Sequence, residues 1–255
     1  MNTVGEMPVI ASLPMYTRPE LDDTIAHFWD LIRKNLNDKG ISAPKNLAQD
    51  AEDLSSWLNP SLVLSQTCGM PYRNFLHGKV QLVGTLDYNL IDCPPGHYFS
   101  VMVVRKNDVR LTLKNYDKAT FAYNMETSQS GFAAPLNHAI PHGISFPNRV
   151  ETLGHLKSAE MVASGQADIA AIDAVTWMLI ERYEAFASKL RVLERTTPNT
   201  PALPLITSLT LDSNLIYDAV KKAIKELPTD MRDAMLLKGI VKISPSNYLN
   251  VSNPK

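Results

Sequence analysis

The chain has 255 residues, enough for one large domain or for two lobes that each bury a core of their own. Lys and Arg total 25 against 26 Asp and Glu, a net charge near −1 with no basic block, which excludes a partner recognised through a nucleic-acid backbone. No apolar run approaches the roughly 20 residues of a membrane-spanning helix, and two cysteines, Cys68 and Cys93, are too few for a disulfide framework and lack metal-ligand spacing.

Met1 to Met7 has neither the basic start nor the long apolar core of a secretory signal, so the expectation is a cytoplasmic chain or one cropped and restarted with Met. A first strand is predicted over Pro8 to Leu13. Thr17-Arg18-Pro19-Glu20 then has capping-box spacing with a proline in the first turn, and Leu21, Ile25, Phe28, Ile32 and Leu36 fall on one helical face before Gly40. Ser61 to Ser65 reads as a strand, 69–77 as a helix and Val80 to Gly84 as a returning strand. Such β-α-β alternation predicts an α/β protein with parallel sheets covered by helices. The pattern breaks at Ile91 to Gly96, and a long strand from Tyr98 to Arg105 follows.

Alternation resumes with strands near 119–124, 149–153 and 167–175 and helices starting near Ser128, His155 and Thr176. Leu190 to Arg195 is again extended and leads into the proline-rich stretch 197–204. A strand over 205–211 and helices over 214–227 and 230–237 complete the reading. Two extended runs bracketing a central α/β segment predict a discontinuous first lobe, residues 1–97 and 196–255, with a second lobe, residues 98–195, inserted into it.

One device occurs in both halves. Leu64-Ser65-Gln66-Thr67-Cys68-Gly69 and Thr127-Ser128-Gln129-Ser130-Gly131 each carry a strand into a serine-glutamine turn, a glycine and a helix. Neutral hydroxyls beside the unpaired amides of a helix start favour an anion without a positive side chain. Two such turns suggest a ligand held from both sides.

These segments, together with Ser12-Leu13-Pro14-Met15-Tyr16 and Ala170-Ala171-Ile172-Asp173-Ala174-Val175-Thr176-Trp177, resemble the phosphate/phosphite/phosphonate substrate-binding proteins of ATP-binding-cassette importers. The resemblance implies a type II periplasmic-binding-protein fold, two α/β lobes joined by two hinge strands with a ligand cleft between them. It implies that Thr127, Ser128, Ser130 and the Gly131 amide hold an oxyanion head, with Asn124 at the end of the preceding strand. Ser12 and Tyr16, then Ser65, Gln66 and Thr67, would face it from the first lobe. It also brings His155 to the cleft, where the alternative is a capping or surface histidine. Leu156 stands where the branch has a basic residue, which argues against a highly charged ligand.

Asp173 sits at a strand end, where open α/β sheets bind ligands. An acid beside an anion accepts a hydrogen bond only from a ligand carrying a proton or an amine; the competing reading is an N-cap of the next helix. Tyr88 and Tyr98, flanking the expected hinge, are better placed than Tyr72 to wall the cleft. Trp177, Met178 and Ile180 read as core, and Arg18 and Arg73 as solvated.

The functional expectation is a non-catalytic, monomeric solute-binding protein that takes a small oxyanion and passes it to an ABC permease, with no metal and no cofactor. The alternatives are a cytoplasmic sensor or scavenger of the same fold, and an enzyme using Cys68 as nucleophile with His155 as base.

Overall fold

The computed structural model describes residues 9–49, 51–88 and 90–254; Pro8, like Met1 to Met7, lies outside them. In chain order the strands are β1 (Ile10–Ser12), β2 (Leu62–Gln66), β3 (Gln81–Asp87), β4 (His97–Tyr98), β5 (Ser100–Arg105) and β6 (Thr120–Tyr123). They continue as β7 (Asn148–Glu151), β8 (Ile169–Asp173), β9 (Leu190–Arg195), β10 (Thr200–Pro201), β11 (Pro204–Thr207) and β12 (Gly239–Val241). Packing divides the chain into two units, Met1–Asn89 with Ala202–Pro245, and Leu90–Pro201 with Ser246–Lys255. This differs from the expected 1–97/196–255 and 98–195 chiefly at the C-terminus, where Asn137 Nδ2 donates to the Ser252 carbonyl at 2.8 Å and draws the last segment to the second unit.

The first unit is a five-stranded sheet in the order β1-β2-β11-β3-β12. Only β1 and β2 are parallel; β11 runs antiparallel to β2 and β3, and β12 antiparallel to β3. The all-parallel expectation fails here because β11 returns from the long excursion through the second unit and not from a β-α crossover, so nothing fixes it parallel. Helix Asp22–Asn37 buries Ile25, Phe28, Ile32 and Leu36 of the predicted stripe and Trp29 beside them, while Leu21 is buried in the turn ahead of it. It packs beside helix Ser213–Glu226, where Asn35 Nδ2 donates to Glu226 Oε2 at 3.2 Å.

The capping box does not form. Arg18 Nε holds Glu20 Oε2 at 3.2 Å with its side chain only 11% exposed, so the carboxylate the box needs is engaged elsewhere and Arg18 is not the solvated residue expected. Thr17 Oγ1 instead donates to the Pro14 carbonyl, and Pro19–Leu21 forms a 3-10 turn ahead of the helix.

In the second unit the order is β7-β6-β8-β5-β9, with β6 parallel to β7 and β8, and β5 antiparallel to β8 and β9. Alternation along the central strands sorts the core into two layers. Met102, Val104, Phe121, Tyr123, Ile169 and Ala171 face Leu136, Ala139, Ile144 and Phe146. Val101, Val103, Ala122, Ala170 and Ile172 face Ala159, Val162, Trp177 and Ile180. Trp177 and Ile180 are therefore core as expected, whereas Met178 is 39% exposed. At the edge, Asp168 joins β6 to β8 by accepting from the Thr120 amide at 3.0 Å, and it binds Arg110 at 2.8 Å and Arg105 at 3.0 Å. Cys68 and Cys93 form no disulfide and both are partly buried. Among the described residues no helix is long and apolar enough to cross a membrane.

Candidate functional site

The Ser128 turn is built by β6. Its Thr-Phe-Ala-Tyr sequence suits a buried strand, and it stops at Asn124. Ser128, in extended backbone, caps the helical stretch that opens at Gln129, its Oγ accepting from the Gly131 amide at 3.0 Å. That stretch begins as a wide π turn, Gln129–Ala133, before continuing as helix Ala134–Ala139. Gly131 is obligatory: a Cβ there would meet Asn124 Oδ1 at 2.0 Å and His155 Cε1 at 3.0 Å. Asn124, Gly131 and His155 are thus packed against one another.

His155 opens the helix His155–Ser164, brought alongside by β7, whose following residues bond to the end of β6: Thr152 N–H donates to the Tyr123 carbonyl and Leu153 N–H to the Asn124 carbonyl. Its Nε2 lies 2.8 Å from Ser130 Oγ, and Ser130 Oγ lies 3.4 Å from Ser128 Oγ. A polar chain Ser128–Ser130–His155 results. Burial pushes the His155 pKa down to about 4, with the Ala171 backbone opposing weakly, so the ring is neutral near pH 7. The cluster offers hydroxyl groups and carries no full positive charge, while the Gly131 amide, expected to hold the anion, is taken by Ser128 Oγ. Asn124 is 9% exposed, and its Oδ1 makes no hydrogen bond among the described residues.

The depressed His155 pKa makes a stability prediction. The unfolded histidine takes up a proton near its ordinary value of 6.5 while the folded one resists until about 4. Stability is therefore complete above 6.5, falls as pH drops from there towards 4, and levels below that. Urea midpoints measured between pH 7.5 and pH 4 should show this fall in the wild-type protein and a flatter profile in His155→Gln; parallel profiles would refute the assignment.

Asp173 ends β8 as the cap of helix Ala174–Tyr183, its Oδ1 accepting from the Val175 amide at 2.8 Å and the Thr176 amide at 2.9 Å. The N-cap is thus real, and the helix starts two residues before the expected Thr176. Asp173 lies opposite Ser100 in the β5–β8 register, and Ser100 Oγ donates to the Ser130 carbonyl at 2.8 Å. Ser100 thereby ties the Asp173 strand end to the Ser128 turn. Sequence reasoning misses it, since nothing local marks a serine at the head of a strand. Thr127 is exposed on the turn leading into Ser128.

In the first unit Ser12 and Ser65 are cross-strand partners on β1 and β2, their hydroxyls 2.8 Å apart. Ser12 Oγ also reaches the Ala51 carbonyl at 3.1 Å and Ser65 Oγ the Gln66 carbonyl at 3.4 Å, so both hydroxyl protons have acceptors within the protein. Both are almost fully buried, and together they staple the strand ends. Thr67 N–H bonds the Pro204 carbonyl at 3.0 Å, while Thr67 Oγ1 and Gln66 Nε2 are buried without a hydrogen bond among the described residues. Gln66 lines a small hollow with Tyr16 and Tyr88, whose rings meet edge-on at 5.1 Å. Tyr16 adopts φ +65°, a left-handed conformation uncommon for a non-glycine residue. Tyr72 and Tyr98 are buried. Cys68 and His155, the pair an enzyme would need, belong to different units, and His155 is bonded to Ser130.

Solved structures place this architecture among known folds. PhnD1 from Prochlorococcus marinus, in complex with methylphosphonate, superposes with a TM-score of 0.69 at 16% identity, covering 95% of this chain and 95% of that one. XAC2383 from Xanthomonas citri, bound to ATP, gives 0.69 at 15% identity over 94% and 92%. The binding-protein component PA3383 of an ABC phosphonate transporter from Pseudomonas aeruginosa gives 0.65 at 16% identity over 96% and 84%. The fold is accordingly α/β of the type II periplasmic-binding-protein class. No curated protein matches the sequence. A family model described as "ABC transporter, phosphonate, periplasmic substrate-binding protein" matches residues 77–248, well over half of the chain. The chain belongs to the family of periplasmic substrate-binding proteins of phosphonate ABC transporters.

Proposed function

We propose that the protein binds a small, singly charged phosphonate-like oxyanion, without catalysis and as a monomer, and delivers it to an ABC permease. The observation that carries this reading is the neutral chain Ser128–Ser130–His155 packed on Gly131. Hydrogen bonds to a charged ligand in such a site are worth about 1.5–3 kcal/mol each. With His155 neutral and Leu156 in place of a basic residue, the second negative charge of a dianion has no counter-charge at this turn, which favours the singly charged form of the ligand. Within the first unit, Gln66 and Thr67 are the residues of the Ser65-Gln66-Thr67 turn left to contact a ligand, because the protons of Ser12 and Ser65 are spent within the protein.

Calorimetric titration with methylphosphonate, phosphate, phosphite, a small sulfonate, an aminoalkyl phosphonate and ATP tests the reading. A phosphonate should bind most tightly, and Ser130→Ala should weaken it at least about tenfold with the unfolding midpoint little changed, one lost charged hydrogen bond being worth that much. A silent panel, or a Ser130→Ala variant of unchanged affinity, would overturn it.

A further inference from the structure

The second unit holds a cluster that the oxyanion site does not use. His138 and His142 are four residues apart, a spacing that puts two side chains on one helical face. Helix Ala134–Ala139 runs on into the 3-10 turn Ile140–His142, and Gly143, at φ +69°, ends it. The two rings lie 5.4 Å apart. Strand β9 brings up Glu194, whose Oε1 is 2.8 Å from His138 Nε2. One ligand atom from each of the three residues lies within 4.8 Å of the others. We propose that His138, His142 and Glu194 bind one divalent transition-metal ion of the zinc, nickel or copper type.

The donor set decides the class. Two imidazoles and one carboxylate suit borderline ions, whereas magnesium and calcium call for sites made of oxygen. Tetrahedral bonds of about 2.0–2.2 Å place neighbouring donors roughly 3.3–3.5 Å apart. The 2.8 Å between His138 and Glu194 is therefore slightly tight for an ion, and the ligands must shift to seat one. The adjustment falls on the residue best able to make it, since His142 is exposed at the end of a turn while His138 is only 9% exposed. Three protein ligands leave a fourth position open to water. The neighbouring Arg195 places its guanidinium over the Phe99 ring, 5.1 Å from its centroid.

His138 also has an outer partner. Without metal, the Thr197 amide donates to His138 Nδ1 at 3.2 Å, so the ring proton sits on Nε2 and is given to Glu194. A metal at Nε2 requires that proton on Nδ1, and Thr197 Oγ1, also 3.2 Å from Nδ1, is the acceptor that would take it. Metal uptake thus moves a proton from one nitrogen of His138 to the other and swaps the Thr197 amide contact for a hydroxyl contact. Such outer hydrogen bonds fix the tautomer of a ligating histidine.

The test is calorimetric titration of chelator-stripped protein with zinc or nickel in phosphate-free buffer. One ion per chain is expected. His142→Ala and Glu194→Gln should each weaken uptake at least about tenfold, and Thr197→Val about tenfold through the tautomer. All three should keep the wild-type circular dichroism and methylphosphonate titration. Nitrogen-15 NMR of the histidine rings should show the His138 proton leave Nε2 for Nδ1 as metal is added, which a merely structural cluster would not do. Absence of uptake tighter than about 1 mM, or uptake unchanged in both His142→Ala and Glu194→Gln, would overturn the site.

Discussion

Gly131→Ala is expected to abolish oxyanion binding while leaving a folded, weakened protein. The added methyl cannot stay 2.0 Å from Asn124 Oδ1 or 3.0 Å from His155 Cε1, so the Asn124 amide and the His155 ring must both turn away or the helix start must back off. Overpacking of this kind costs about 1–3 kcal/mol of stability. Binding suffers more, because Ser130 loses a correctly placed His155 and the Ser128 and Ser130 hydroxyls shift with the helix start. Two charged hydrogen bonds at about 1.5–3 kcal/mol each amount to a loss of about 100-fold or more in affinity. Parallel methylphosphonate calorimetry and urea denaturation separate the two effects. A variant that binds within about threefold of wild type would show that the ligand does not depend on this corner of the second unit.

That result would bear on a residue whose importance is legible in the sequence, as the last position of a Ser-Gln-Ser-Gly turn, but whose reason is not. A glycine opening a helix ordinarily reads as backbone freedom; the Gly131 backbone is helical, and the need is for room beside Asn124 and His155, which lie at other positions along the chain. The same limit explains Ser12 and Ser65. Their positions at strand ends mark them for a ligand, yet the parallel pairing of β1 with β2 sets the hydroxyls against each other, with the Ala51 and Gln66 carbonyls as further acceptors for their protons. Local pattern places a side chain at a sheet edge; only register shows what already occupies its hydrogen-bonding capacity.

Strand direction is hidden for a similar reason. Periodicity finds the apolar run that becomes β11 but carries no information on the direction from which a chain returns, and β11 returns antiparallel. Strong amphipathic elements such as Asp22–Asn37 and Ser213–Glu226 are recoverable within a few residues, because one buried face imposes its period on the sequence. The three-residue β12 has too few positions to show a period at all.

Asp173 is where ligand role and structural role meet, and two substitutions part them. Its carboxylate already accepts two amides at the start of the helix Ala174–Tyr183 from a nearly buried position, 2% exposed. Asp173→Ala should therefore lose about 1 kcal/mol of stability as the cap is removed. Asp173→Asn keeps an acceptor oxygen for those amides and should stay within a few tenths of a kcal/mol of wild type. Ligand selection divides differently, because an amide oxygen carries no charge to hold an ammonium group. Both variants should weaken an aminoalkyl phosphonate at least about tenfold, while methylphosphonate, which has no amine, should change little with Asn. If Asp173→Asn binds the two phosphonates in the wild-type ratio, Asp173 is a helix cap alone, and discrimination rests with the neutral Ser130–His155 pair.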